Sequence, residues 1–246
     1  MCSAVLVVLI FMFAAAVQRV SGIGFSLVAL PMLVPIVGPL DGVTLIVLNS
    51  AITSLLMTID TYREVAWKPL WRLAVPSVLI SFPAIMFLNG APIVMVNFLV
   101  GILLVVCTSA LLFKIRVRKA RELRGEIIIG AVSGFMNATA GVAGPAIGAY
   151  VSSVGWSHRT FIATVQPYFI ISDTAVLAAK YIFQDQGESL ISLTSFASAM
   201  FGCVIGLLIG KQLYKWVPET VGRWSVIIVS GVGAVSVLIN AILEIV

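Results

Sequence analysis

The chain has 246 residues, 61% of them hydrophobic and 10% charged, with a formal net charge of +5 and a mean hydropathy of +1.14. Soluble domains carry about 25% charged residues, so this composition excludes a soluble enzyme or binding module and defines an integral membrane protein. The cations are gathered in short segments between apolar runs, where Lys and Arg mark cytoplasmic loops, and they do not point to a nucleic-acid partner.

The first apolar region runs from Cys2 to Pro39 and is interrupted by Gln18, Arg19, Ser21, Gly22 and Gly24. Its Ala14, Ala15 and Ala16 resemble a signal-peptide cleavage site, but no Lys or Arg precedes the run as such signals require, so it reads as part of the fold. Spans are expected at Val43 to Ile59, Leu70 to Leu88 and Pro92 to Phe113, each near the roughly 20 residues that cross a bilayer. The basic segment Lys114 to Arg124 comes next. It leads into a second interrupted region, Glu126 to Trp156, and then into spans at Thr160 to Tyr181, Leu190 to Gly210 and Thr220 to Ile245.

Placing Lys114 to Arg124 in the cytoplasm fixes the topology. The turn Asn89 to Ala91 becomes external, Arg63, Lys68 and Arg72 internal, Gln184 to Glu188 external, and Lys211, Lys215 and Arg223 internal. Glu126 to Trp156 then enters and leaves on the cytoplasmic face. Trp67, Trp71, Trp156, Trp216 and Trp224 fall near that interface, where indole rings are favoured.

The chain also repeats. Ser21 to Gly38 lies over Ala138 to Gly155, and Ala91 to Phe98 over Val217 to Trp224, with the same order of landmarks: a Gly-rich break, two helices, then Pro before the last helix. The expected fold is therefore all-α, with two inverted-topology repeats, each a Gly-interrupted helical hairpin plus three transmembrane helices. Repeat one covers 1–113, the basic cytoplasmic linker 114–125, and repeat two 126–246. Inverted repeats recur in secondary transporters, whose sites lie near the midplane and are built from discontinuous helices.

The two breaks are the candidate site. Freed backbone inside a membrane is tolerated only where protein or water satisfies it, and the half-helix after each break offers N–H groups at the positive end of its dipole. Gly22, Gly24, Gly141 and Gly144 permit the required dihedrals, and Pro145 suits a first helical turn. Such a site wants an anion. The alternative, glycines that only let helices pack closely, fits Gly130, Gly206, Gly210, Gly231 and Gly233.

In the repeat register Arg19 matches Met136, which places it at the tip of the first hairpin, where a guanidinium holds two oxygens of a sulfonate, sulfite or carboxylate. The competing reading makes it an interfacial residue closing a nearly full-length first helix. Asn49 and Gln166 match each other and would orient an anion's oxygens. Asp173 shares a helix face with Gln166 and is the one acid deep in an expected span, hence a proton carrier, a counter-ion to Arg19 or Lys180, or a structural hydrogen-bonding group.

VQRVSGIGFSLVALPML (Val17 to Leu33) and SGFMNATAGVAGPAIGAY (Ser133 to Tyr150) resemble the two glycine motifs of the sulfite exporter TauE/SafE family, and the resemblance covers nearly the whole chain. It implies binding roles for Gln18, Ser21, Gly22 and Gly24 in the first motif, and for Asn137, Thr139, Gly141, Gly144 and Pro145 in the second. Where the family usually has paired glycines before the proline, this chain has Ala143 and Gly144. The resemblance also implies movement of small organosulfur or related anions across the cytoplasmic (inner) membrane.

The combined expectation is a secondary transporter working by alternating access, with Asp173 as the proton-coupling candidate, the lipid bilayer and a small anion as its partners, and no stated oligomeric state. An anion-selective channel is the alternative. A membrane enzyme is less favoured, because the single His158 has no cluster of ligands around it. Cys2, Cys107 and Cys203 lie in apolar runs, so neither a disulfide framework nor a metal or cofactor is indicated.

Overall fold

The structure is a computed structural model that describes residues 2–113, 117–183, 193–214 and, beyond these, 216, 221, 224–232 and 235. Lys114, Arg116, the loop Gln184 to Glu188, Lys215, Arg223 and most of the span expected at Thr220 to Ile245 lie outside the described residues. Among the described residues every regular element is helical.

Nine α-helices are described: α1 (Cys2–Ser21), α2 (Phe25–Val37), α3 (Pro39–Thr61), α4 (Trp67–Leu88), α5 (Ile93–Leu112), α6 (Leu123–Ala140), α7 (Gly144–Val154), α8 (His158–Phe183) and α9 (Leu193–Leu213). A 3-10 turn, Tyr62–Glu64, joins α3 to α4, and residues 224–232 form a further helical stretch. Six helices are long and apolar enough to cross a membrane: α1, α3, α4, α5, α8 and α9. The first is thus a full-length helix, and the interruption follows it.

The two interruptions split their regions into a long and a short piece. After α1 the chain turns at Gly22 and Gly24, with φ of 80° and 111°, and restarts as the 13-residue α2. After α6 it turns at Gly141, φ 65°, whose N–H bonds back to Asn137 O at 2.8 Å in the left-handed helix-ending motif, and restarts as the 11-residue α7 with Pro145 in its first turn. Neither short piece reaches the length a crossing needs.

Packing follows from small residues. α1 packs chiefly on α9, α6 on α4, and α3 on α8. Gly202, Gly206 and Gly210 of α9 press on α1 backbone at Val8, Met12 and Ala16, and Gly130 and Gly134 of α6 press on α4 at Leu73 and Ser77. A Cβ at any of these would collide with the facing helix, so the glycines set the helix separation. Large apolar side chains point the other way: Leu79 and Met86 on α4 and Leu208 on α9 are more than 60% exposed, the surface a chain presents to lipid. α8 is the most enclosed of the six, and it carries polar residues through the centre of the bundle against α3.

Candidate functional site

A small cavity, part of it open to the surroundings, lies where the two interruptions meet. Gly24 to Leu27, the start of α2, form one wall, and Gly141 to Pro145, the end of α6 and start of α7, form another. Ser50, Asn137, Phe169 and Asp173 complete the lining. Ser50 is the middle residue of α3, and Phe169 and Asp173 flank the middle of α8, so the cavity sits halfway along the two central helices. The interruptions touch: a Cβ on Gly144 would stand 3.2 Å from the Cβ of Ile23.

Both short helices start at the cavity, and neither first turn receives a side-chain cap. Their leading N–H groups have no intrahelical partners, and each N-terminus carries roughly half a positive charge. Two such ends converging on one space favour a negatively charged guest.

The cavity also holds one acid. Asp173 Oδ1 accepts a hydrogen bond from Asn137 Nδ2 at 2.8 Å, and the same amide donates to Ser172 Oγ at 2.9 Å. Ser172 in turn is 2.9 Å from Ser77 Oγ. Asp173 Oδ2 and Asn137 Oδ1 are buried without a hydrogen-bond partner among the described residues. Groups of that kind call for a bound water, ion or ligand. Asp173 makes no ion pair with Arg19 or Lys180 among the described residues; Asn137 is the partner it has.

A second polar cluster lies one step toward the His158 end of α8, and its members satisfy one another. Gln18 Nε2 donates to Gln166 Oε1 at 3.2 Å and to Ser54 Oγ at 3.3 Å, and Gln166 Nε2 donates to the Gly22 carbonyl at 3.0 Å. Thr53 Oγ1 is 3.3 Å from Gln18 Oε1. The two glutamines therefore brace the first interruption from α1 and α8, across helices far apart in the chain.

Of the residues singled out from sequence, Gly24, Asn137, Gly141, Gly144, Pro145 and Asp173 line the cavity. Gln18, Gly22 and Gln166 belong to the brace. Ser21 Oγ is 2.8 Å from Val17 O and also contacts the Ile23 carbonyl, tying the end of α1 to the first interruption, whereas Thr139 Oγ1 donates to Phe135 O at 2.8 Å within its own helix. Asn49 Nδ2 donates to Leu45 O at 2.8 Å, and its Oδ1 faces Cys203 Sγ. Arg19 does not line the cavity. Its Nη2 is 2.7 Å from Asp60 Oδ2, which Lys211 approaches at 3.5 Å, so the guanidinium ties the ends of α1, α3 and α9 together.

Ser26, Ser50, Phe169 and Ser172 were not visible as site residues in the sequence. Ser50 carried a signal, since it stands beside Asn49 and repeats at i, i+4 with Ser54 on the α3 stripe. Ser26 and Phe169 had none, because only the meeting of two distant segments gives them a role.

These features define a polytopic membrane protein with a cavity between two interrupted helical regions, halfway along its central helices, the arrangement found in carriers of small solutes. A family model described as sulfite exporter TauE/SafE matches residues 7–237. The chain belongs to that family, a family of membrane transporters. Comparison with curated proteins and with solved structures finds no match.

Proposed function

We propose that the protein is a secondary transporter that moves small sulfur-containing anions, such as sulfite or short sulfonates, across the inner cell membrane by alternating access. The observation that carries this reading is the convergence of two uncapped helix N-termini on one cavity at the middle of α3 and α8. The family, one of sulfite exporters, supplies the class of anion.

Two inverted repeats, 1–113 and 126–246, joined by the basic linker 114–125 in the cytoplasm, fit the helix pairing. α1 packs on α9 as α6 packs on α4, the exchange expected if α1 and α6, and α4 and α9, are counterparts. α3 and α8 are counterparts that pack on each other along the proposed pseudo-twofold axis. Rocking one set of helices against the other would open the cavity to each side in turn.

Asp173 is the coupling group in this proposal. An ionised carboxylate and an anion a few ångströms apart in a poorly screened interior repel each other. They are compatible when Asp173 Oδ2 carries a proton and donates it in a hydrogen bond to an oxygen of the substrate. Anion and proton then enter and leave together.

The test is counterflow. Protein in liposomes preloaded with unlabelled sulfite should take up labelled sulfite faster than in empty vesicles, and short sulfonates should behave likewise. An uptake rate indifferent to internal anion would replace the carrier with a channel.

A further inference from the structure

The buried polar side chains of α8 fall on one line. Gln166, Asp173 and Lys180 are each seven residues apart, so they share a helix face at steps of about 10 Å along the axis. All three are buried. α3 answers each in turn: Thr53 and Ser54 meet Gln166 through Gln18, Ser50 lines the cavity with Asp173, and Thr44 holds Lys180. Polar side chains thus meet across the seam between the two central helices at three levels, with apolar residues such as Val47 and Val176 between them.

The third level is not used by the central site. Lys180 is 6% exposed, and its Nζ donates to Thr44 Oγ1 at 2.7 Å and to Leu40 O at 3.2 Å. Both partners are neutral oxygens, and they use two of the three donors an ammonium has. Asp41 is near enough to act on Lys180 electrostatically, yet the two form no ion pair among the described residues. Thr44 and Leu40 also lie at the start of α3, the positive end of its dipole. Among the described residues this buried ammonium has hydrogen bonds but no counter-charge in contact, and ionisable groups within membrane spans mark substrate and ion pathways.

We propose that Lys180 is a second anion station, at the Phe183 end of the α3–α8 seam, where the substrate pairs with Nζ in place of Thr44 Oγ1 and Leu40 O on its way to or from the central cavity. This rests on the reading above that the carried solute is an anion. The Phe183 end is the external end in the orientation that puts the basic linker in the cytoplasm. A compact oxoanion suits the station, because an ammonium is a point charge that engages one oxygen at a time. One step further in, the anion meets the paired helix N-termini and Asp173.

The test measures sulfite exchange in right-side-out and inside-out vesicles. Replacing Lys180 removes a charge-assisted contact, so Lys180→Gln should raise half-saturation at the Phe183-end face by about tenfold or more, leave the opposite face nearly unchanged, and be rescued by Lys180→Arg. Should Lys180→Gln fail to fold, Thr44→Val serves: it frees Nζ from its shorter bond and should lower half-saturation on that face alone. Unchanged half-saturation in Lys180→Gln, or an equal rise on both faces, would overturn the station, and so would Thr44→Val leaving that face as in the wild type. Absence of exchange in the wild-type protein would instead count against the carrier reading itself.

Discussion

Asn137 Nδ2 lies 2.8 Å from Asp173 Oδ1 and turns that carboxyl so that its other oxygen is left without a partner beside the cavity. The amide spends both donors, on Asp173 and Ser172, and so fixes the acid on α8 from the last turn of α6. Asp173→Asn keeps the shape and removes the titratable proton. The expected outcome is sulfite exchange whose rate no longer varies with pH over the range in which wild-type exchange does. A mutant profile that follows the wild type would clear Asp173 of the coupling role.

Asn137→Ala tests the positioning rather than the proton. It takes the amide from Asp173 Oδ1 and from Ser172, and losing a hydrogen bond to a group of this kind costs about 1.5–3 kcal/mol. The melting temperature should fall by several degrees and exchange should be lost, whereas Asn137→Gln, which carries the same donors on a longer arm, should recover stability better than transport. Equal recovery of both would mean that the amide serves stability alone.

Gly24 ends one interruption with φ 111°, and a Cβ there would stand 2.5 Å from Val226 Cγ2. Gly141 opens the other with φ 65°, where a Cβ would meet Val47 Cγ2 at 3.3 Å. Gly141→Ala carries the left-handed backbone cost of about 1–2 kcal/mol, and Gly24→Ala adds a steric clash to a backbone that side chains rarely adopt. Gly24→Ala should therefore lower the melting temperature more than Gly141→Ala. The reverse order would show that Val226 yields and that the second interruption is the less tolerant one.

The spans α3, α4, α5, α8 and α9 were legible because apolar length and flanking cations state them locally. So were the interruptions, since Gly-x-Gly and Gly-Pro inside apolar runs have few other uses. α1 was less legible: Gln18 and Arg19 break the apolar pattern near its end, and only the structure shows that Gln18 is satisfied by Gln166 and Arg19 by Asp60. Those partners come from helices distant in sequence, and a residue looks unpaired until its partner is known. For the same reason Arg19 read as an anion ligand, while Lys180, whose neutral partners are also remote, entered only as a possible counter-ion. Family resemblance and residue pattern agreed on Gly141, Gly144 and Pro145, and resemblance alone supplied Asn137; neither could see that Ser50 completes their cavity.

Arg19 is the residue on which sequence and structure pull in different directions, and its pair with Asp60 allows a clean test. If the guanidinium is a clamp between the ends of α1 and α3, then Arg19→Gln should cost little, since pairs with an exposed partner are worth about 0–1 kcal/mol, and the charge swap Arg19→Asp with Asp60→Arg should restore what is lost. Anion binding would be retained in all of them. It can be followed by thermal shift with sulfite, because a ligand at 100 times its Kd adds about 2.7 kcal/mol of stability. If Arg19 instead leaves Asp60 to bind the anion in another state of the transport cycle, the sulfite shift disappears in Arg19→Gln and the swap fails to bring it back, because the recovered ion pair does not put a cation where the anion needs one.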